Sequence, residues 1–169
     1  MPPTVTPFFH APTGTWTYVV SDPASREAAV IDPVLDYDWR SGRTGTSSAD
    51  LVLAHLSAAG LRLRWILETH AHADHLSCAP YLQSSAGGQI AIGTGIREVQ
   101  ATFKRIFGFG DEFVTDGRQF DRLLADGDTV ALGAIEGRVI ATPGHTSDSV
   151  SYLFGDALFV GDTVFMPDG

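Results

Sequence analysis

A single cysteine, Cys78, stands among 169 residues, so no disulfide can form within the chain. That fits a reducing compartment, with the cytoplasm as the default. Basic residues are scarce: 11 Lys and Arg against 20 Asp and Glu give a formal net charge of −9. Nucleic acid and anionic membrane are therefore poor partners on bulk electrostatics. An anionic small substrate stays open if a bound metal supplies local positive charge. Long apolar runs are missing, so no membrane-spanning helix is expected. The N-terminal residues Met1 to Pro7 lack the basic region and apolar core of a secretory signal.

What is present is ordinary globular composition, 44% hydrophobic and 18% charged. The length suits one domain with one core, residues 1–169. Thr15 to Ser21 and Glu27 to Ile31 read as strands joined at Asp22-Pro23, a hairpin. Asp32 to Ser47 is polar and turn-rich and reads as a loop. Ser48 then caps a helix whose apolar stripe is Leu51, Val52, His55 and Leu56, stopped at Gly60. Arg62 to Glu68 reads as a strand with Leu63, Trp65 and Leu67 on one face. A short helix from Ser77 to about Ala86 and a strand from Gln89 to Ile92 follow. Ile96, Val99, Phe103 and Phe107 form a second helical stripe, assigned to the core. Gly108 to Asp128 reads as a lid or an irregular insertion. Strands at Val130 to Leu132, Ile135 to Ala141, Val150 to Phe154 and Ala157 to Val160 close the chain, the last two joined at Gly155-Asp156. The fold class is mixed α/β in layers.

The strongest signal is Thr69-His70-Ala71-His72-Ala73-Asp74-His75, which holds three of the six histidines and an aspartate. Imidazole and carboxylate suit zinc, iron and manganese. The motif follows an apolar strand, at the end where α/β proteins place their sites. Thr142-Pro143-Gly144-His145-Thr146 and Gly161-Asp162-Thr163 repeat the arrangement: a metal-capable residue just past an apolar strand. A surface cluster of three neighbouring imidazoles with no cation is the competing reading, and desolvating them without one is unfavourable. The candidate ligands are His70, His72, Asp74, His75, His145 and Asp162. His55 and His10 read as packing residues. Cys78 reads as a small buried apolar side chain, with a persulfide-carrying or redox role as the alternative.

These motifs, in this order, resemble the signature of the metallo-β-lactamase superfamily. The stretches Ile31 to Asp36, Ile66 to Ser77 and Phe159 to Asp168 resemble most closely its bacterial persulfide dioxygenases, relatives of glyoxalase II. The resemblance implies an αββα sandwich and a mononuclear Fe(II) site held by His70, His145 and Asp162 as catalytic ligands. It implies oxidation of glutathione persulfide, or a similar thiol persulfide, by dioxygen to sulfite. His72, Asp74 and His75 would then support those ligands or form a vacant second site. The alternative is a binuclear Zn(II) thioester hydrolase of the glyoxalase II type. There His70, His72 and His145 hold one metal, and Asp74, His75 and a bridging Asp162 hold the other. An inactive metal-binding or interaction module is the non-enzyme reading.

The chain stops at Gly169, where relatives in the family continue. The expectation is an N-terminal part of the family fold, with the inner faces of both sheets uncovered. Self-association, or a partner chain covering the missing half, would follow from that.

Overall fold

The computed structural model describes residues 2–165. Met166, Pro167 and Asp168, part of the third resembling stretch, lie outside the described residues.

In chain order the strands begin with β1 (Thr4–His10), β2 (Thr15–Ser21), β3 (Glu27–Ile31), β4 (Val34–Asp38) and β5 (Arg43–Gly45). Helix α1 (Ser47–Ala58) precedes β6 (Arg62–Leu67) and the short β7 (Leu76–Ser77). Helix α2 (Ala79–Ala86), β8 (Gln89–Gly93) and helix α3 (Ile96–Phe107) follow. The remaining strands are β9 (Arg122–Leu124), β10 (Thr129–Leu132), β11 (Ile135–Ala141), β12 (Val150–Phe154) and β13 (Ala157–Phe159). A single 3-10 turn covers Gly161–Thr163.

One sheet has six strands in the order β1-β2-β3-β6-β8-β9, and a second has four, β10-β11-β12-β13. The pairs β3–β6, β6–β8 and β8–β9 are parallel, so the C-terminal ends of β3, β6 and β8 gather at one edge. That edge carries Asp32, Glu68 to His75, and Gly93.

The two sheets face each other across one core. Val20, Ala29, Ile31, Leu67, Ala91 and Leu124 of the first meet Val130, Leu132, Val139, Tyr152, Phe154 and Phe159 of the second. Strict alternation in β10 and β11 puts Ala131, Glu136 and Arg138 on the outside. Gly137 permits the closest approach, since a Cβ there would run into the Phe154 ring. The other face of the six-stranded sheet is covered by α1 and α2 through Ala49, Val52, Leu56, Ala79 and Leu82. Among the described residues, no helix covers the outer face of the four-stranded sheet. The layers are thus helix, sheet, sheet.

Several expectations change. The inner faces of the sheets are not open: the strands up to Phe159 are enough to cover one another. Asp32 to Ser47 is not simply a loop, because β4 pairs antiparallel with both β5 and β7. Ordered β1 precedes the hairpin and pairs along the full length of β2. A register shift between Ala28 and Ala29 leaves Arg64 without a paired residue in β3. That bulge moves Leu63 to the helix-covered face, while Trp65 and Leu67 face the second sheet. Helix α3 buries Ile96 and Gln100, but Phe103 and Phe107 are 42% and 63% exposed. Its aromatic stripe lies at the surface rather than in the core. No helix among the described residues is long and apolar enough to cross a membrane.

Candidate metal centre

His70, His145 and Asp162 come from the ends of β6, β11 and β13, and each offers a ligand atom within 4.8 Å of the others'. The Oδ2 of Asp162 lies 3.3 Å from His145 Nε2 and 3.8 Å from His70 Nε2. The His70 and His145 rings stand edge to face at 5.0 Å. His70 is 1% exposed and forms the inner wall, whereas the His145 and Asp162 side chains are 42% and 34% exposed. The group therefore has one dry side and one side open to a ligand.

His70 Nε2 is buried and has no hydrogen-bond partner. Its other nitrogen, Nδ1, sits 3.0 Å from Thr69 Oγ1. The Thr69 hydroxyl donates its proton to Asp32 Oδ2 at 2.9 Å. The threonine oxygen is then left as an acceptor, so His70 Nδ1 carries the proton and Nε2 keeps its lone pair. A buried lone pair aimed at a carboxylate and a second imidazole fits a metal ion and is otherwise costly. Burial, with the charge of His72 adding to it, lowers the His70 pKa and keeps the ring neutral.

Asp32 sits just past β3 at φ +50°. Its Oδ1 accepts from Thr69 N at 2.7 Å and lies 3.1 Å from His72 Nε2. Glu68 Oε2 lies 3.4 Å from the same nitrogen. Burial by itself would lower the His72 pKa, but the hydrogen bonds and charges of Asp32 and Glu68 outweigh it and raise it to about 11. Burial raises the Glu68 pKa, while contacts with His72 and Thr69 overcome burial and lower that of Asp32. Of the two carboxylates, Asp32 is the better-held anion.

A second trio, His72, Asp74 and His75, also has its ligand atoms within 4.8 Å. Asp74 accepts from Thr15 Oγ1 at 3.1 Å. The His75 ring stacks on His72 at 4.2 Å, and its Nε2 is a second buried nitrogen without a partner. All six predicted residues thus lie at one edge, divided into two groups that do not share a residue.

Sequence reasoning missed Asp32, Glu68, Thr69 and Asp148. Buried Asp148 accepts from Ala71 N at 2.9 Å and so pins the histidine loop between His70 and His72. Gly161, at φ +50°, brings the Asp162 turn against Thr69, where a Cβ would collide with its side chain. The bland readings hold. His55 packs edge-on against Phe8 at 5.6 Å, and His10 contacts Thr13 and Asp36. Cys78 is 1% exposed, and burial, with Glu68 nearby, pushes its thiol up to about 12.

The family model described as the metallo-beta-lactamase superfamily matches residues 10–169. The chain belongs to that superfamily. A Burkholderia pseudomallei superfamily relative named "Probable metallo-hydrolase" is 52% identical over 98% of this chain and 60% of its own length. Glyoxylase B2 of Dictyostelium discoideum is 46% identical, covering 91% of this chain and 53% of that protein. The persulfide dioxygenase ETHE1 of Bos taurus is 32% identical, covering 90% and 49%. Among solved structures, ETHE1 from Myxococcus xanthus superposes with a TM-score of 0.75 at 28% identity, over 96% of this chain and 59% of that one. The chain thus spans about half to three-fifths of these relatives. Superfamily membership makes a metal-dependent site the frame for the residues above. The relatives' names divide between hydrolase and dioxygenase chemistry.

Proposed function

We propose that the site is a mononuclear iron centre of the persulfide dioxygenase type, with His70, His145 and Asp162 as its protein ligands. The observation that carries this reading is the division of the histidines. His70 Nε2 is bare and aimed at His145 and Asp162, while His72 Nε2 is taken by Asp32 and Glu68. Two imidazoles and one carboxylate suit Fe(II) and leave positions on the metal free for a sulfur ligand and dioxygen. Such an ion supplies local positive charge and redox chemistry that no side chain here can offer.

The protein's own groups do the positioning. Thr69 and Asp32 hold the His70 tautomer, so the inner wall is already oriented before a ligand arrives. The exposed side, formed by His145 and Asp162, is where a small thiol persulfide such as glutathione persulfide enters. Holding both reactants at one point replaces an encounter with a near-unimolecular step. The net charge of −9 would repel such an anion without a cation at the site.

A second reading, a binuclear zinc thioester hydrolase, is favoured by the trio His72, Asp74 and His75 and by the likeness to glyoxylase B2. It requires His72 as a ligand beside His70 and His145; the His72 ring lies against His70 at 4.1 Å, but its Nε2 faces Asp32 at 3.1 Å and Glu68 at 3.4 Å. The two readings separate in one experiment. The chain is loaded anaerobically with iron or with zinc, then given glutathione persulfide with oxygen, or S-lactoylglutathione. Oxygen uptake with sulfite release by the iron form supports the dioxygenase. Thioester hydrolysis by the zinc form, with no oxygen uptake by the iron form, would overturn it.

A further inference from the structure

We propose that Glu68 is a positioning residue: with Asp32 it grips His72 by Nε2, keeps that imidazole out of metal coordination, and so holds the loop to one metal. The inference rests on the mononuclear reading above and adds what enforces it.

Glu68 directly follows β6, two residues before His70, and its side chain is 5% exposed. One oxygen, Oε1, accepts from the Ser77 hydroxyl. The other, Oε2, has no hydrogen-bond partner by strict geometry and lies 3.4 Å from His72 Nε2. Asp32 Oδ1 approaches the same nitrogen at 3.1 Å. Among the described residues, His72 is the only basic side chain paired with either carboxylate.

Moving His72 towards a metal would leave two buried carboxylates facing each other without a basic partner, which is strongly unfavourable. Without His72 the second group keeps Asp74 and His75, and a third ligand would have to be Asp162, which already stands with His70 and His145 in the first group. The clamp and the trio both claim His72, and the clamp has the closer, buried partners.

The alternative role gives the opposite sign. A carboxylate that supports His72 as a ligand would lower metal uptake when removed. The test is metal content by mass spectrometry after equilibration with excess zinc, for wild type, Glu68→Gln and Glu68→Gln/Asp74→Asn. Expected values are about one metal, about two, and about one per chain. Wild type at one with Glu68→Gln at one or below would overturn the clamp and leave the mononuclear reading intact. Wild type at two would overturn the mononuclear reading itself. If Glu68→Gln does not fold, imidazole nitrogen NMR of the metal-free wild type decides. A His72 proton fixed on Nε2 in a hydrogen bond supports the clamp, and a ring with no proton on Nε2 overturns it.

Discussion

His70 and His75 are buried imidazoles five residues apart on one loop, and each has an Nε2 that meets no hydrogen-bond partner. Their surroundings differ in origin. His70 faces His145 and Asp162, which arrive from strands far away in sequence. His75 has Asp74 and the stacked His72, all within four positions. The first group exists only once both sheets have docked, because its three residues sit on three strand ends. The second is a property of the loop. Metal bound to the first group is therefore linked to the whole fold, and ligands that bind only the folded state stabilise it.

The sharpest way to break this contrast is a pair of substitutions. His145→Ala should weaken metal binding by more than about 100-fold, and His75→Ala by about tenfold or less. Equal losses, measured by competition with a chromogenic chelator, would mean that the two groups serve two metals. His145 is 42% exposed, so its removal should leave the metal-free melting temperature nearly unchanged.

A somewhat smaller effect tests the link to the fold. Gly161→Ala places a Cβ against Thr69 at a positive φ. It should cost on the order of 2 kcal/mol in denaturant unfolding. Because Thr69 orients His70, the variant should also bind metal more weakly than its stability loss alone explains. Normal metal affinity in a destabilised Gly161→Ala would separate the turn from the site.

Least affected should be the exposed C-terminal half of α3. Phe107→Ser on α3 removes an exposed ring and should shift stability by no more than about 0.5 kcal/mol, with unchanged metal binding. A large loss would return that stripe to the core, where periodicity alone had put it.

That case shows what the sequence could reveal. Period and punctuation served well for the hairpin Thr15 to Ile31, for the helix stop at Gly60, and for the last four strands. They failed where tertiary partners decide. The Ile96 to Phe107 stripe is fully helical, yet no sheet lies beneath its C-terminal half. Arg64 looks like any strand residue, and its bulge appears only when β6 meets β3. Strands β4 and β5 are short and lie within a turn-rich stretch, and β4 has Leu76 and Ser77 as a further partner. At the site, the candidate ligands stood out because histidine clustering is rare and each residue follows an apolar strand. Asp32 and Glu68 also sit at apolar strand ends, so the same rule would have found them. They passed unseen because a lone carboxylate there has many meanings until the imidazole facing it is known.

The most direct test of the account is X-ray absorption on the anaerobically iron-loaded chain. The prediction is one iron with two imidazole scatterers, the remaining ligands light atoms, and no metal–metal vector. Three imidazoles together with a second metal at about 3.5 Å would contradict it and establish a binuclear centre.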